Sequence, residues 1–163
     1  MPLYQIHHRV PLSQDQQDQL ATSITKIHTE RFTTPSLFVN VTFTDISSQP
    51  TYVAGKRTTG NRILAHVRHG PSRSQEDYNA LCSSIEDAWY ETVADTYRLH
   101  TIFILGDIVA GYEYGMAIPP AGQDREWLRE NIEVFRQRAR DEGEPFVGLM
   151  RELEERVDFR AIL

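Results

Sequence analysis

Residues 37–44 read LFVNVTFT, and the alternation of apolar and polar side chains along this stretch predicts a β-strand with one buried face. A second strand is predicted upstream, at residues 3–10, which read LYQIHHRV. Between the two, apolar side chains recur at helical spacing from about residue 14 to 31, after a capping box that begins at Ser13. Two strands joined through a helix need a crossover connection and usually pair in parallel. This part of the chain therefore predicts a βαβ unit.

The same order of elements then recurs further along the chain. Residues 62–68, RILAHVR, predict a strand, and residues from about 74 to 96 predict an amphipathic helix. Residues 100–105, HTIFIL, predict a further strand, and their nearly continuous apolar character predicts a central position in the sheet. The predicted fold class is therefore α/β (α+β), with two consecutive βαβ units.

A charged segment follows the second unit. Its apolar positions recur at helical spacing and predict two amphipathic helices, the first from about residue 124 and the second over residues 146–157. We therefore predict a domain at residues 2–122 and a charged helical extension at residues 123–163. The extension is expected to pack on that domain or on a neighbouring subunit.

Composition excludes several classes of protein. The chain has 163 residues and a formal net charge of -6, whereas binding nucleic acid needs a basic surface. No apolar run is long enough to span a membrane, and the first residues lack the regions of a signal peptide. The single cysteine, Cys82, cannot form an intrachain disulfide, which fits a reducing compartment. The sequence thus predicts a cytoplasmic protein with neither nucleic acid nor a membrane as partner.

Pro2 directly follows the initiator methionine, which is normally removed before so small a residue. Removal would leave a secondary amine on a rigid ring at the new N-terminus. An α-amine titrates at roughly pH 7.7–8.0, and burial or nearby arginines lower that value. Such an amine can act as a general acid or base without a side chain. The histidines at positions 7, 8, 66 and 69 lack the arrangement of a metal site, and none is predicted.

Several short stretches, taken in order, resemble the tautomerase superfamily, and within it the cis-3-chloroacrylic acid dehalogenase group and its fungal homologues. The stretches are Pro2, KIHT at residues 26–29, Arg73-Ser74, Glu113-Tyr114-Gly115, and PPAG at residues 119–122 followed by Glu126-Trp127. The resemblance covers roughly residues 2–130. It implies a four-stranded mixed sheet made of two βαβ units, a homotrimer, and an N-terminal proline in a cleft.

The resemblance also implies roles for individual residues. Pro2 would transfer protons, and Glu113 would orient a water molecule, both without a cofactor. His28 and Arg73 would bind a small carboxylate substrate, since a guanidinium meets a carboxylate with two parallel hydrogen bonds. The implied reactions are tautomerisation or hydration of small 2-oxo or unsaturated carboxylates, with weak dehalogenation as a further possibility.

Two positions depart from the family's pattern. A second carboxylate-binding arginine is replaced by Gly70, and a tyrosine that partners the water is replaced by Ile104. We expect Arg68 to supply the missing charge and Tyr112 to supply the missing hydroxyl. The alternative is a trimeric binding or structural protein of the same fold whose pocket no longer catalyses a reaction.

Overall fold

The computed structural model describes residues 1–160, and a four-stranded mixed sheet lies at its centre. The strands are β1 (Leu3–His8), β2 (Asn40–Asp45), β3 (Tyr52–Val53), β4 (Lys56–Arg57), β5 (Asn61–His66), β6 (Leu99–Leu105), β7 (Tyr112–Glu113) and β8 (Met116–Ala117). The central sheet has the order β2-β1-β5-β6. β1 pairs in parallel with β2, β5 pairs in parallel with β6, and β1 and β5 are antiparallel. Both predicted βαβ units are thereby confirmed.

Two long helices supply the crossovers. They are α1 (Gln14–Phe32) and α2 (Gln75–Thr92), which contact each other and the sheet. Each begins with a capping box, formed by Ser13 with Gln16 and by Ser74 with Asp77, which satisfies backbone N–H groups of the first turn. The first core, between helices and sheet, contains buried residues from all of these elements: Tyr4, Ile6, Leu20, Ile24, Ile63, Leu81, Ile85 and Trp89.

The strand of residues 100–105 lies at the edge of the sheet, so its predicted central position is wrong. Among residues 1–160, β6 pairs only with β5, and the side chain of Phe103 is 57% exposed. An edge strand presents unpaired backbone groups that can pair with another chain. The apolar side chains of β6 therefore form part of a surface that is exposed in the single chain.

β2 begins later than its alternation predicts. Ser36–Phe38 form a turn of 3-10 helix, and the strand starts at Asn40. Phe38 is fully buried, and it lies in a separate apolar cluster with residues of the C-terminal helices. Tertiary packing of this one ring thus overrides the local strand pattern.

Two C-terminal helices, α3 (Asp124–Asp141) and α4 (Phe146–Glu155), build a second core. The second core is the set of buried residues Met1, Phe38, Trp127, Leu128, Phe135, Phe146, Leu149, Leu153 and Phe159. It joins the first residue of the chain to the last two helices, while the boundary between residues 122 and 123 stays a prediction. Within residues 1–160, no helix is long and apolar enough to cross a membrane.

Candidate active site

The amino terminus is buried where the two cores meet. The Met1 side chain is 3% exposed, and its amine donates hydrogen bonds to the carbonyl of Phe38 and to Glu113 Oε1, the latter at 3.1 Å. Burial lowers the pKa of this amine to about 6, although Glu113 acts in the opposite direction. Burial at this end of the chain therefore favours the unprotonated amine, whereas the Glu113 carboxylate favours the protonated one.

Pro2 is held at the first position before β1. It is buried, and its carbonyl accepts a hydrogen bond from the backbone N–H of Asn40 at 3.1 Å. The parallel pairing of β1 with β2 continues from this contact. The sheet itself therefore positions the proline.

Glu113 reaches the amino terminus from the β7–β8 hairpin. The hairpin turns through Tyr114 and Gly115, both with positive φ, a geometry that glycine favours at the second position. Asn40 Nδ2 donates to Glu113 Oε1 at 2.9 Å. Glu113 Oε2 lies 2.8 Å from the Met1 nitrogen and is buried without a hydrogen bond from residues 1–160. One oxygen of this carboxylate is thus anchored, and the other is directed at the terminus.

His28 lies fully buried near the end of α1. Burial, followed by the charge of Arg73, holds its pKa well below the usual value of histidine, so the ring is neutral at physiological pH. The Tyr4 hydroxyl lies 2.7 Å from Nδ1, and burial raises the pKa of that hydroxyl. With Tyr4 donating to Nδ1, the ring hydrogen resides on Nε2. That nitrogen is buried and has no partner in the described part of the chain, so it can donate to a ligand.

Arg73 precedes the cap of α2 and is 6% exposed. Its Nη1 donates to the carbonyl of Arg68 at 2.6 Å, and its Cζ lies 4.3 Å from the centre of the Phe32 ring. Burial and then the charge of Arg68 lower its pKa. No carboxylate within residues 1–160 forms an ion pair with it at 4.0 Å or less. Arg73 therefore holds a positive charge that a ligand carboxylate can neutralise.

Arg68 is placed differently from the expectation that it replaces the missing arginine. Its Nη2 donates to Asp124 Oδ1 at 2.7 Å, and its Nη1 donates to the carbonyls of Pro119 and Pro120 at 2.6 and 3.2 Å. Arg68 and Asp124 are 4% and 2% exposed. Both terminal nitrogens are thus engaged, because the loop before α3 folds back over the end of β5. Asp124 therefore neutralises Arg68, and Arg68 supports the site through its carbonyl, which accepts a hydrogen bond from Arg73.

Tyr112 is not brought to the site. Its side chain is 76% exposed, while the neighbouring Glu113 points at the amino terminus. Adjacent residues of a strand point to opposite faces, so both side chains cannot reach the same point. The structure therefore does not support Tyr112 as the substitute for the tyrosine that Ile104 replaces.

Three residues of the site were missed from the sequence. Tyr4 orients His28, Asn40 anchors Glu113, and Asp124 neutralises Arg68. Asn40 and Tyr4 lie in strands. The alternation of apolar and polar residues predicts only which face of the sheet each side chain is on, and it does not predict which residue the side chain contacts. Asp124 gives the one local signal, an acidic residue at the start of a helix, but that position is ordinary for a carboxylate.

Solvent reaches the arginine end of the site through a cleft of about 380 Å³. Its lining includes Arg31, Arg73 and Arg125, with Asp124 as the carboxylate. A cavity of about 810 Å³ lies elsewhere and is lined by Arg9 and Arg98 but, within residues 1–160, by none of the candidate site residues. We therefore associate the candidate site with the smaller cleft, because Arg73 and Asp124 line it.

Comparisons with known proteins agree with this arrangement. Residues 1–132 match a family described as putative oxalocrotonate tautomerase enzyme. A similar solved structure is N1, a member of the cis-3-chloroacrylic acid dehalogenase family, with 21% identity, a TM-score of 0.65 and coverage of 90% of this chain and 99% of that one. The predicted likeness to the tautomerase superfamily, near that group, and the fold are thus confirmed.

Two further solved structures share the fold. Pt0534, inactivated by 2-oxo-3-pentynoate, has 19% identity and a TM-score of 0.58, over 71% of this chain and 95% of that chain. A fused 4-OT wild type asymmetric trimer has 12% identity and a TM-score of 0.58, over 71% and 94% of the two chains. A comparison with curated protein sequences finds no match.

Proposed function

Because the chain belongs to the family described as putative oxalocrotonate tautomerase enzyme, we propose that it is a cofactor-free enzyme whose Pro2 becomes the catalytic acid and base once Met1 is removed. The proposed reaction is tautomerisation or hydration of a small 2-oxo or unsaturated carboxylate. The observation that carries the proposal is the convergence of a buried amino terminus, the carboxylate of Glu113, the free Nε2 of His28 and the charge of Arg73. The single Cys82 and the absence of other thiols fit a cytoplasmic location.

In the tautomerisation, the Pro2 nitrogen takes a proton from the carbon next to the keto group of a 2-oxo acid. The C–H electron pair forms the carbon–carbon double bond, and the π electrons of the C=O bond move to the keto oxygen. The protonated Pro2 nitrogen then gives its proton to that oxygen, which yields the enol. Arg73 binds the carboxylate, and His28 Nε2 donates a hydrogen bond to the oxygen on which negative charge develops. Both groups are held in place before the substrate binds, since Arg73 stacks on the Phe32 ring and His28 is hydrogen-bonded to Tyr4.

Hydration uses the same groups together with Glu113. Its Oε2 is available to accept a hydrogen from a water molecule, while Asn40 holds Oε1. The water adds to one carbon of an unsaturated acid, and Pro2 delivers a proton to the other carbon. Tyr112 is exposed and does not assist, so we place tautomerisation ahead of hydration and of dehalogenation.

One observation favours the alternative, a protein of the same fold that does not catalyse. When Met1 is present, its side chain fills part of the second core, and its amine forms an ion pair with the Glu113 carboxylate. A chain that keeps Met1 has an acylated Pro2 nitrogen, which cannot accept a proton. Retention of Met1 therefore separates the two functions.

We also propose a homotrimer. The exposed apolar edge strand β6, with Phe103 at 57% exposure, offers backbone groups to a neighbouring copy. A 4-OT protein of the same fold is described as a trimer.

Mass spectrometry with an acetylenic 2-oxo acid tests the proposal. 2-Oxo-3-pentynoate inactivates Pt0534, and a secondary amine adds to its triple bond: the N–C bond forms and the N–H proton moves to the adjacent carbon. We expect a protein lacking Met1 that gains the mass of one inhibitor per chain, on the N-terminal peptide. In a native spectrum, three chains support the trimer and one chain contradicts it. Retained Met1, or no adduct on Pro2, contradicts the catalytic proposal.

The pH profile of tautomerisation should depend on Glu113. Only the unprotonated amine can take a proton, so kcat/KM falls as the pH drops through the pKa of Pro2. Burial lowers the pKa of the amine at this end of the chain, and Glu113 raises it. If the same carboxylate faces the Pro2 amine after processing, Glu113→Gln removes this effect and should move the acidic limb to lower pH, so that the variant keeps a larger fraction of its maximal rate on the acidic side.

The matched control is Glu126→Gln, which removes an exposed carboxylate from the first turn of α3. This change should leave the acidic limb of the pH profile at the same pH as in the wild-type protein. A limb that moves equally in both variants, or moves upward in Glu113→Gln, would contradict the role of Glu113 beside the amine.

A further inference from the structure

The amine and the side chain of Met1, the residue before Pro2, lie in two different environments. Its amine lies against the Glu113 carboxylate and the Phe38 carbonyl. Its side chain is 3% exposed and belongs to the second core, whose other buried members are all apolar. An unbranched chain of four heavy atoms is thus already accommodated in an apolar pocket beside the polar site.

The peptide bond between Met1 and Pro2 fixes the position of this pocket relative to the Pro2 nitrogen, which is the proposed catalytic group. The Met1 carbonyl carbon is bonded to the nitrogen that becomes the free amine of Pro2. Space that Met1 occupies is therefore the space next to that nitrogen after processing. A substrate whose reacting carbon lies in front of Pro2 must direct one substituent towards Glu113 or towards the apolar residues.

We infer that removal of Met1 opens an apolar subsite, formed by second-core residues around Phe38, that accepts the unbranched tail of a monocarboxylic 2-oxo acid. The inference rests on the proposed function and names its substrate class: a tail about as long as a methionine side chain, with no charge at its end. Arg73 and His28 bind the acid end, and the second core binds the other end.

The walls of the second core explain why a charged tail is excluded. Its buried members carry no ionised side chain. Arg138 stacks on the Phe146 ring with its Cζ 5.2 Å from the ring centre, and it lies 3.8 Å from Glu142. Arg156 lies over the Phe159 ring with its Cζ 4.2 Å from the ring centre, and it is paired with two carboxylates. Both cations have carboxylates nearby, so neither compensates a carboxylate buried in the core.

The test measures deuterium exchange at C3 of 2-oxo acids by NMR, with processed wild-type protein. The tail is lengthened from 2-oxobutanoate through 2-oxopentanoate and 2-oxohexanoate to 2-oxooctanoate. We expect kcat/KM to rise about fourfold per added methylene group as far as 2-oxohexanoate, and to rise no further with 2-oxooctanoate. 2-Oxoadipate has the same chain length as 2-oxohexanoate but a terminal carboxylate, and should be at least about tenfold poorer.

Exchange of 2-oxobutanoate without dependence on tail length, or a preference for 2-oxoadipate, overturns the subsite and leaves the proposed function standing. If none of the 2-oxo acids exchanges deuterium, a binding measurement tests the subsite instead. Trp127 belongs to the second core, whereas Trp89 lies in the first, so Trp127 fluorescence is expected to respond to alkanoates that enter the subsite. Binding that tightens from butanoate to hexanoate supports the subsite even in an inactive protein, and equal binding overturns it.

Two proteins serve as controls. Protein from cells in which methionine aminopeptidase is inhibited keeps Met1, and its filled subsite should remove the dependence on tail length. Pro2→Ala is expected to lose Met1 as wild type does, since alanine is also small, and should keep that dependence in the binding measurement. Tail-dependent binding that persists with Met1 in place contradicts the assigned location.

Discussion

Replacing Pro2 with alanine should lower kcat/KM for tautomerisation by about 10²-fold or more, within the range that a positioned general acid or base usually contributes. Alanine leaves a primary amine at the terminus, but that amine is no longer held by a pyrrolidine ring. The carbonyl of residue 2 still pairs with the Asn40 N–H, so the strand should keep its register. Rates of exchange at C3, measured with saturating and limiting substrate, give kcat and KM separately.

The variant must remain folded for this result to be informative. Pro2 makes its backbone contact through the carbonyl, so the urea midpoint should change little. A folded Pro2→Ala protein with the wild-type kcat/KM would remove Pro2 from the mechanism. Binding of hexanoate to the same variant, followed at Trp127, separates loss of chemistry from loss of the site.

Asp124→Asn should produce the largest loss of stability, about 3–5 kcal/mol. Asp124 and Arg68 are 2% and 4% exposed, and the substitution leaves the guanidinium charge buried without a counterion. The two proline carbonyls that accept from Arg68 satisfy hydrogen bonds but carry no net charge. Urea denaturation followed by circular dichroism gives the free energy of unfolding.

Glu126→Gln is the matched control, because it removes an acidic side chain from the same first turn of α3 at an exposed position. Both substitutions weaken the favourable interaction with the helix dipole, which is worth about 0.3–1 kcal/mol. The difference between the two variants therefore isolates the buried pair. Equal losses in both variants would mean that Arg68 is not stabilised by Asp124.

The accuracy of the sequence predictions follows the range of the interactions involved. The capping box predicted at Ser13 and the periodicity of both long helices depend on residues within a few positions of each other, and the helices appear where expected. The composition of residues 100–105 was interpreted as that of a central strand. That interpretation is wrong because β6 lies at the edge of the sheet with Phe103 57% exposed, and the composition of a strand does not fix how many strands pair with it.

Site residues show the same division. Pro2, His28, Arg73 and Glu113 were named from motifs, and the structure brings them together around one buried terminus. Arg68 and Tyr112 were chosen because they are close in sequence to the positions that differ, Gly70 and Ile104. Closeness in sequence was insufficient, since Asp124 engages Arg68 from 56 residues away, and strand alternation turns Tyr112 outward.

The sequence by itself determined the order of the four main strands and the helices, the cap of the first helix, the two crossover units and the family to which the chain belongs. Only the tertiary structure decided that Asp124 neutralises Arg68, that Asn40 anchors Glu113, and that the first residue of the chain completes the core of its last helices. The physical reason is that local patterns reflect hydrogen bonds and burial within one element. A buried charge, by contrast, takes whichever counterion the packing of distant segments brings to it.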